Sequence, residues 1–103
     1  MTRVKLCGLM SPEDVAMAED AGADALGFVT EYPVPVPWNL DREAAALLAG
    51  SASPYVTTVA VVGGSPEEMV TIARKVRPRV LQLHSDETLE DIGMVLEGLQ
   101  GTG

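Results

Sequence analysis

The run Val4-Lys5-Leu6-Cys7-Gly8 places the chain's single cysteine at the end of a short strand-like segment, ahead of a glycine and a helix start. A thiol held there can take a proton or attack an electrophile. Alternation along a strand puts Arg3, Lys5 and Cys7 on one face and Val4 and Leu6 on the other. One face is apolar and suited to packing under helices. The other combines two cations with a thiol, and an ammonium beside a thiol favours thiolate, the reactive form. The plainer reading of a free cysteine is a small buried hydrophobe, and it stays open at this point. A second polar pair, Gln82 and His84, shares one face of a later strand, with Leu81 and Leu83 on the other. Alone, His84 reads equally as a hydrogen-bonded structural histidine, and Lys5 as an inward cation paired with an acid from another strand. One histidine and one cysteine far apart give no metal-ligand spacing, so no metal is expected from the residues themselves. Gly63-Gly64-Ser65, leading into a helix, reads as an anion-binding turn or, more simply, as a turn and cap.

The elements that must position these groups alternate. Residues 3–7 read as a strand. Ser11-Pro12-Glu13-Asp14 opens a helix with a cap, a first-position proline and acids in the first turn. That helix presents Val15, Ala18 and Ala21 on one face and stops at Gly22. Residues 24–29 form the next strand, followed by a proline-rich loop over 31–39. Asp41 caps a second helix that ends at Gly50, and 56–62 is a β-branched strand. Ser65-Pro66-Glu67 repeats the first helix start and opens a helix to Val76. Residues 79–83 and 86–99 supply a last strand and helix.

This order is (βα)4, with the spacing of units in a parallel sheet. The fold class expected is α/β, a (βα)4 half of a TIM (β/α)8 barrel, with parallel strands side by side and helices on the face away from Lys5 and Cys7. Residues 1–100 make one half-barrel domain and 101–103 a loose tail. Closure needs eight strands. An open four-stranded sheet leaves a bare face and two unpaired edges, which calls for a C-terminal half-barrel, another chain or a second copy as partner.

Composition narrows the function classes. The 103 residues are 47% hydrophobic and 21% charged, a globular balance. The net charge of -8 supplies no basic stripe for nucleic acid. It would not steer an anionic substrate either, so any phosphate site must be local. No apolar run reaches the length of a membrane span, and the first residues lack a secretory h-region. With one unpaired cysteine, the expected setting is the reducing cytoplasm.

Three motifs carry a resemblance. Val4-Lys5-Leu6-Cys7-Gly8-Leu9, then Ala21-Gly22-Ala23-Asp24-Ala25-Leu26-Gly27-Phe28-Val29, then Val80-Leu81-Gln82-Leu83-His84 closely resemble, in order and spacing, the phosphoribosylanthranilate isomerase family. The likeness spans this chain but only the first half of that family's barrel. It implies an Amadori rearrangement of N-(5-phosphoribosyl)anthranilate to the 1-deoxyribulose phosphate, in tryptophan biosynthesis, without metal or cofactor. It makes Cys7 the general base, with Lys5, Gln82 and His84 meeting the phosphosugar substrate. The general acid implied lies on a fifth strand and the phosphate site in loops after the last strands, both outside these residues. Trp38 falls about where the resemblance implies an arginine for the substrate's carboxylate, with Arg42 nearby at a helix start. Met10 and Ser85 replace a usual threonine and glycine. The alternative is a non-catalytic half-barrel that pairs with itself or another chain.

Overall fold

Every helix starts where a side-chain oxygen stands ready to cap it. In the computed structural model, which describes residues 2–84 and 88–100, four helices alternate with four strands. These are β1 (Lys5–Leu6), α1 (Pro12–Asp20), β2 (Ala25–Val29), α2 (Arg42–Ser51), β3 (Thr57–Val62), α3 (Pro66–Val76), β4 (Val80–Leu83) and α4 (Leu89–Gly98). Ser11 Oγ accepts from the Asp14 amide at 3.1 Å, Asp41 Oδ1 from Ala44 at 2.7 Å and Ser65 Oγ from Glu68 at 3.2 Å. Caps of this kind contribute about 1 kcal/mol each. Both expected Ser-Pro starts are therefore real, with Pro12 and Pro66 opening their helices. The last helix begins later than expected. Thr88 caps it in a reciprocal arrangement with Asp91. The expected start at Asp86, the altered Ser85 and the tail 101–103 lie outside the described residues.

All four strands are parallel and pair in chain order, β1-β2-β3-β4. This is the (βα)4 half-barrel arrangement. Leu26 and Phe28 of β2 and Ala60 and Val62 of β3 point to the helix side and are fully buried. They meet Val15 and Ala18 of α1, Ala45 and Leu48 of α2, and Met69, Ile72 and Val76 of α3. Ala21, expected on that buried face, is an exposed cap instead, because α1 ends at Asp20. Gly22 follows with φ of +90°, the left-handed turn that makes a glycine the natural stop.

The first strand departs most from expectation. Only Lys5 and Leu6 are paired in regular strand geometry, and Val4 and Leu6 are 47% and 38% exposed rather than packed beneath helices. β1 is an edge strand with one neighbour, and α1 packs on α2. Irregular bonds extend its attachment to β2. The carbonyl of Val4 accepts from Asp24 and Ala25, and that of Gly27 accepts from Gly8 and Leu9. Asp24 adds a carboxylate that accepts from the Val4 amide at 2.7 Å.

Candidate functional site

Register places Cys7. With Lys5 opposite Ala25 and Leu6 opposite Leu26, Cys7 comes to lie beside Gly27. A Cβ on Gly27 would stand 2.7 Å from Cys7 Sγ, so the missing side chain is what admits the thiol at this point of the sheet. Cys7 is exposed in this chain and stands outside its hydrophobic core. Gly8 follows with φ of +80°, turning the chain sharply off the strand end.

Lys5 reaches across the sheet. Its Nζ donates to Gln82 Oε1 at 2.5 Å. The two residues belong to opposite edge strands, three interstrand spacings or roughly 14 Å apart in a flat sheet. They meet because the sheet curls toward this face, as strands tilted into a barrel do. The inward lysine thus finds an amide oxygen from β4, not the acid its plainer reading called for.

The loop after β2 closes over the same end. Its neck is held by Leu40 donating to the Val29 carbonyl and Glu31 to the Leu40 carbonyl, both at 2.8 Å. The Asn39 side chain bonds the Tyr32 amide and carbonyl at 2.9 Å each. Glu31 receives two bonds from the Arg42 guanidinium, at 2.8 and 2.9 Å, and one from the Arg42 amide. The Arg42 hydrogen bonds hold the Glu31 carboxyl below the usual carboxylate range, against a smaller opposing effect of burial. Glu31 accepts a positive φ of 46° to make this contact. Beyond the neck, Tyr32 donates its hydroxyl to the His84 carbonyl, and its ring lies 5.9 Å from the imidazole. Trp38 rests against Gly8, its ring carbon Cγ 3.5 Å from where a Cβ would be.

The result is a cavity of about 260 Å³ at the C-terminal ends of the strands. Three of the four expected site residues, Cys7, Gln82 and His84, line it together. Lys5 does not line it but holds Gln82. Val29, Val36 and Val61 form apolar walls, and Tyr32 and Trp38 supply aromatic ones. Sequence reasoning did not assign Tyr32 to the site. The signal was its place in the loop just after a strand end, where such sheets carry their binding groups. A larger groove of about 800 Å³ opens at the opposite end, beside Arg74, Arg77 and Arg79, and none of the expected residues lines it.

The Gly63-Gly64-Ser65 turn is a cap. Ser65 bonds the Glu68 amide and carboxylate, so an acid already occupies the α3 N-terminus. Gly63 instead makes room for Tyr32 and Pro33, each of which would lie 3.0 Å from a Cβ there. Among the described residues, no group of three or more His, Cys, Asp or Glu could hold a metal ion. None of the described helices is long and apolar enough to cross a membrane.

A parallel sheet of four strands alternating with four helices is half of a (β/α)8 barrel, an architecture that carries its sites at the C-terminal mouth. In sequence and fold, this half-barrel matches phosphoribosylanthranilate isomerases. The N-(5'-phosphoribosyl)anthranilate isomerase of Haloferax volcanii is 41% identical across 100% of this chain and 45% of its own length. The phosphoribosyl anthranilate isomerase of Thermotoga maritima superposes with a TM-score of 0.85 at 34% identity, over 94% of this chain and 47% of that one. An equal TM-score and identity are found, over 94% of this chain and 50% of the other, for such an isomerase in complex with reduced 1-(o-carboxyphenylamino)-1-deoxyribulose 5-phosphate. The chain spans about half the length of the relatives it matches. No protein-family model matches it.

Proposed function

We propose that this chain supplies the first half of a phosphoribosylanthranilate isomerase site and that Cys7 is its general base. The reading rests on one observation above the others: the exposed Cys7 thiol shares a cavity with Gln82 and His84 at the mouth of the sheet. The reaction opens the furanose ring of N-(5-phosphoribosyl)anthranilate when an acid protonates the ring oxygen, giving a Schiff base. Cys7 then takes the C2′ proton as general base, and the enolamine so formed becomes the ketone of the 1-deoxyribulose phosphate. Lys5 orients Gln82 through their hydrogen bond, and Gln82 and His84 bind the sugar. No cofactor takes part. The acid and the phosphate-binding loops come from four further strands, which also cover the β1 and β4 edges. The site would then work in the cytoplasm on a small phosphosugar.

The test is reconstitution. This chain is mixed with the C-terminal half-barrel of a phosphoribosylanthranilate isomerase, and loss of substrate fluorescence is followed. Turnover that disappears with Cys7→Ala is the expected result. A folded complex without turnover overturns the proposal. The open edges of β1 and β4 favour a second reading, a half-barrel that pairs with its own copy. Sedimentation of the isolated chain separates the two, because a stable dimer that refuses the C-terminal half supports only the second.

A further inference from the structure

We infer that Trp38 is a specificity-determining residue that binds the substrate's aromatic ring by stacking, so that this site selects an aryl amine and not its carboxylate. The inference rests on the isomerase reading and deepens it.

The cavity's lining is divided. Cys7, Gln82 and His84 form its polar part, and Trp38 and Tyr32 stand with valines on the rest. No lysine or arginine among the described residues lines it. Two basic groups on the elements that frame the cavity are already engaged, Lys5 by Gln82 and Arg42 by the Glu31 carboxylate. Three of the remaining cations, Arg74, Arg77 and Arg79, line the groove at the other end of the sheet. Among the described residues, a carboxylate brought into this cavity meets no cation in its lining. A ring meets an indole.

The indole is also in position beforehand. Trp38 lies within a loop whose neck is closed, leans on Gly8 next to the thiol, and stays 46% exposed, which leaves ring surface for a ligand. Aromatic rings gain from offset or edge-on contact beyond their buried area. The cavity volume of about 260 Å³ suits a ring and a few atoms more. An apolar cavity of about 150 Å³ is enough to hold benzene. The ligand bound to the matched isomerase joins a carboxyphenylamino group to a reduced deoxyribulose phosphate. Its ring belongs against Trp38 and its sugar-derived chain toward Cys7, Gln82 and His84.

Trp38 is the chain's only tryptophan, so its emission reports on its own contacts. The isolated chain is titrated at pH 8 with anthranilate, aniline and the uncharged saturated ring cyclohexanol. Anthranilate and aniline are expected to quench the emission saturably, with affinities within about threefold of each other, and cyclohexanol, read by its competition with aniline, to bind at least about tenfold more weakly. Calorimetry on W38F and W38L separates stacking from simple burial. W38F retains aniline binding within about threefold, while W38L, checked for its fold by circular dichroism, loses about tenfold. Absence of saturable quenching, a preference above about tenfold for anthranilate over aniline, or equal binding by W38L overturns the inference. These titrations need no turnover. A reconstituted barrel that is inactive counts against the isomerase reading alone, and a carboxylate preference counts against stacking alone.

Discussion

Gly27→Ala probes the close approach that seats the thiol. Two effects oppose each other. In a strand interior, alanine gains roughly 0.5–1 kcal/mol over glycine through backbone entropy. Against this, the new Cβ would lie 2.7 Å from Cys7 Sγ and 3.2 Å from both Cys7 Cα and Cβ. Rotating the thiol away relieves the clash with Sγ, but the crowding against the Cys7 main chain is relieved only if β1 itself shifts. Overpacking of this kind costs typically ~1–3 kcal/mol. The net expectation is a loss of about 1–2 kcal/mol. Cys7→Ala should recover part of it, because the sulfur is gone while the main chain stays. A coupling of about 0.5–1 kcal/mol is expected in the double-mutant cycle. Urea unfolding of the four proteins measures the stabilities. The rate of Cys7 alkylation, measured on the two proteins that keep it, shows whether the thiol has moved. A Gly27→Ala protein as stable as the parent, with an unchanged alkylation rate, refutes the reasoning.

Three further outcomes are expected. Cys7→Ser in a reconstituted barrel should lower kcat by about 10²–10⁴, since a hydroxyl is a far poorer base; a smaller loss removes Cys7 from that role. Phe28→Ala should cost about 3–5 kcal/mol, because the ring is fully buried between sheet and helices, and thermal melting will read it. The Glu31–Arg42 pair stabilises the loop neck while Glu31 is ionised. The lowered folded-state pKa means that this contribution is complete above the unfolded value near ~4.5 and is lost as pH falls through the folded value. Both side chains are about a third exposed, so solvent screens the pair and its contribution is small. Glu31→Gln should flatten that acid limb when Trp38 emission is followed from pH 6 to pH 3, and an unchanged limb excludes the pair as its source.

What could be read from the sequence was local or periodic. The Ser11 and Ser65 starts announce themselves because a cap acts over three residues. Cys7, Gln82 and His84 could be placed at strand ends because their strands alternate. The length of β1 could not, because an edge strand's pairing depends on a neighbour that lies 20 residues on. The same holds for Gly27, whose role appears only once register sets it beside Cys7. Tyr32 reaches the site through the His84 carbonyl, a bond across 52 residues with no local trace. Lys5 was read as a companion of the thiol, whereas curvature of the whole sheet hands it to Gln82.

That curvature also has a kinetic side. Neighbouring strands pair residues some twenty to thirty positions apart, but the Lys5–Gln82 bond closes a loop of 77. Such a closure gives little return until the intervening strands have formed, and it belongs late in folding. Its loss should then leave the folding rate nearly unchanged and speed unfolding. The Lys5 side chain, brought to the far edge by the curled sheet, acts as a latch, fastened after the fold is built and adding to what must open when it comes apart.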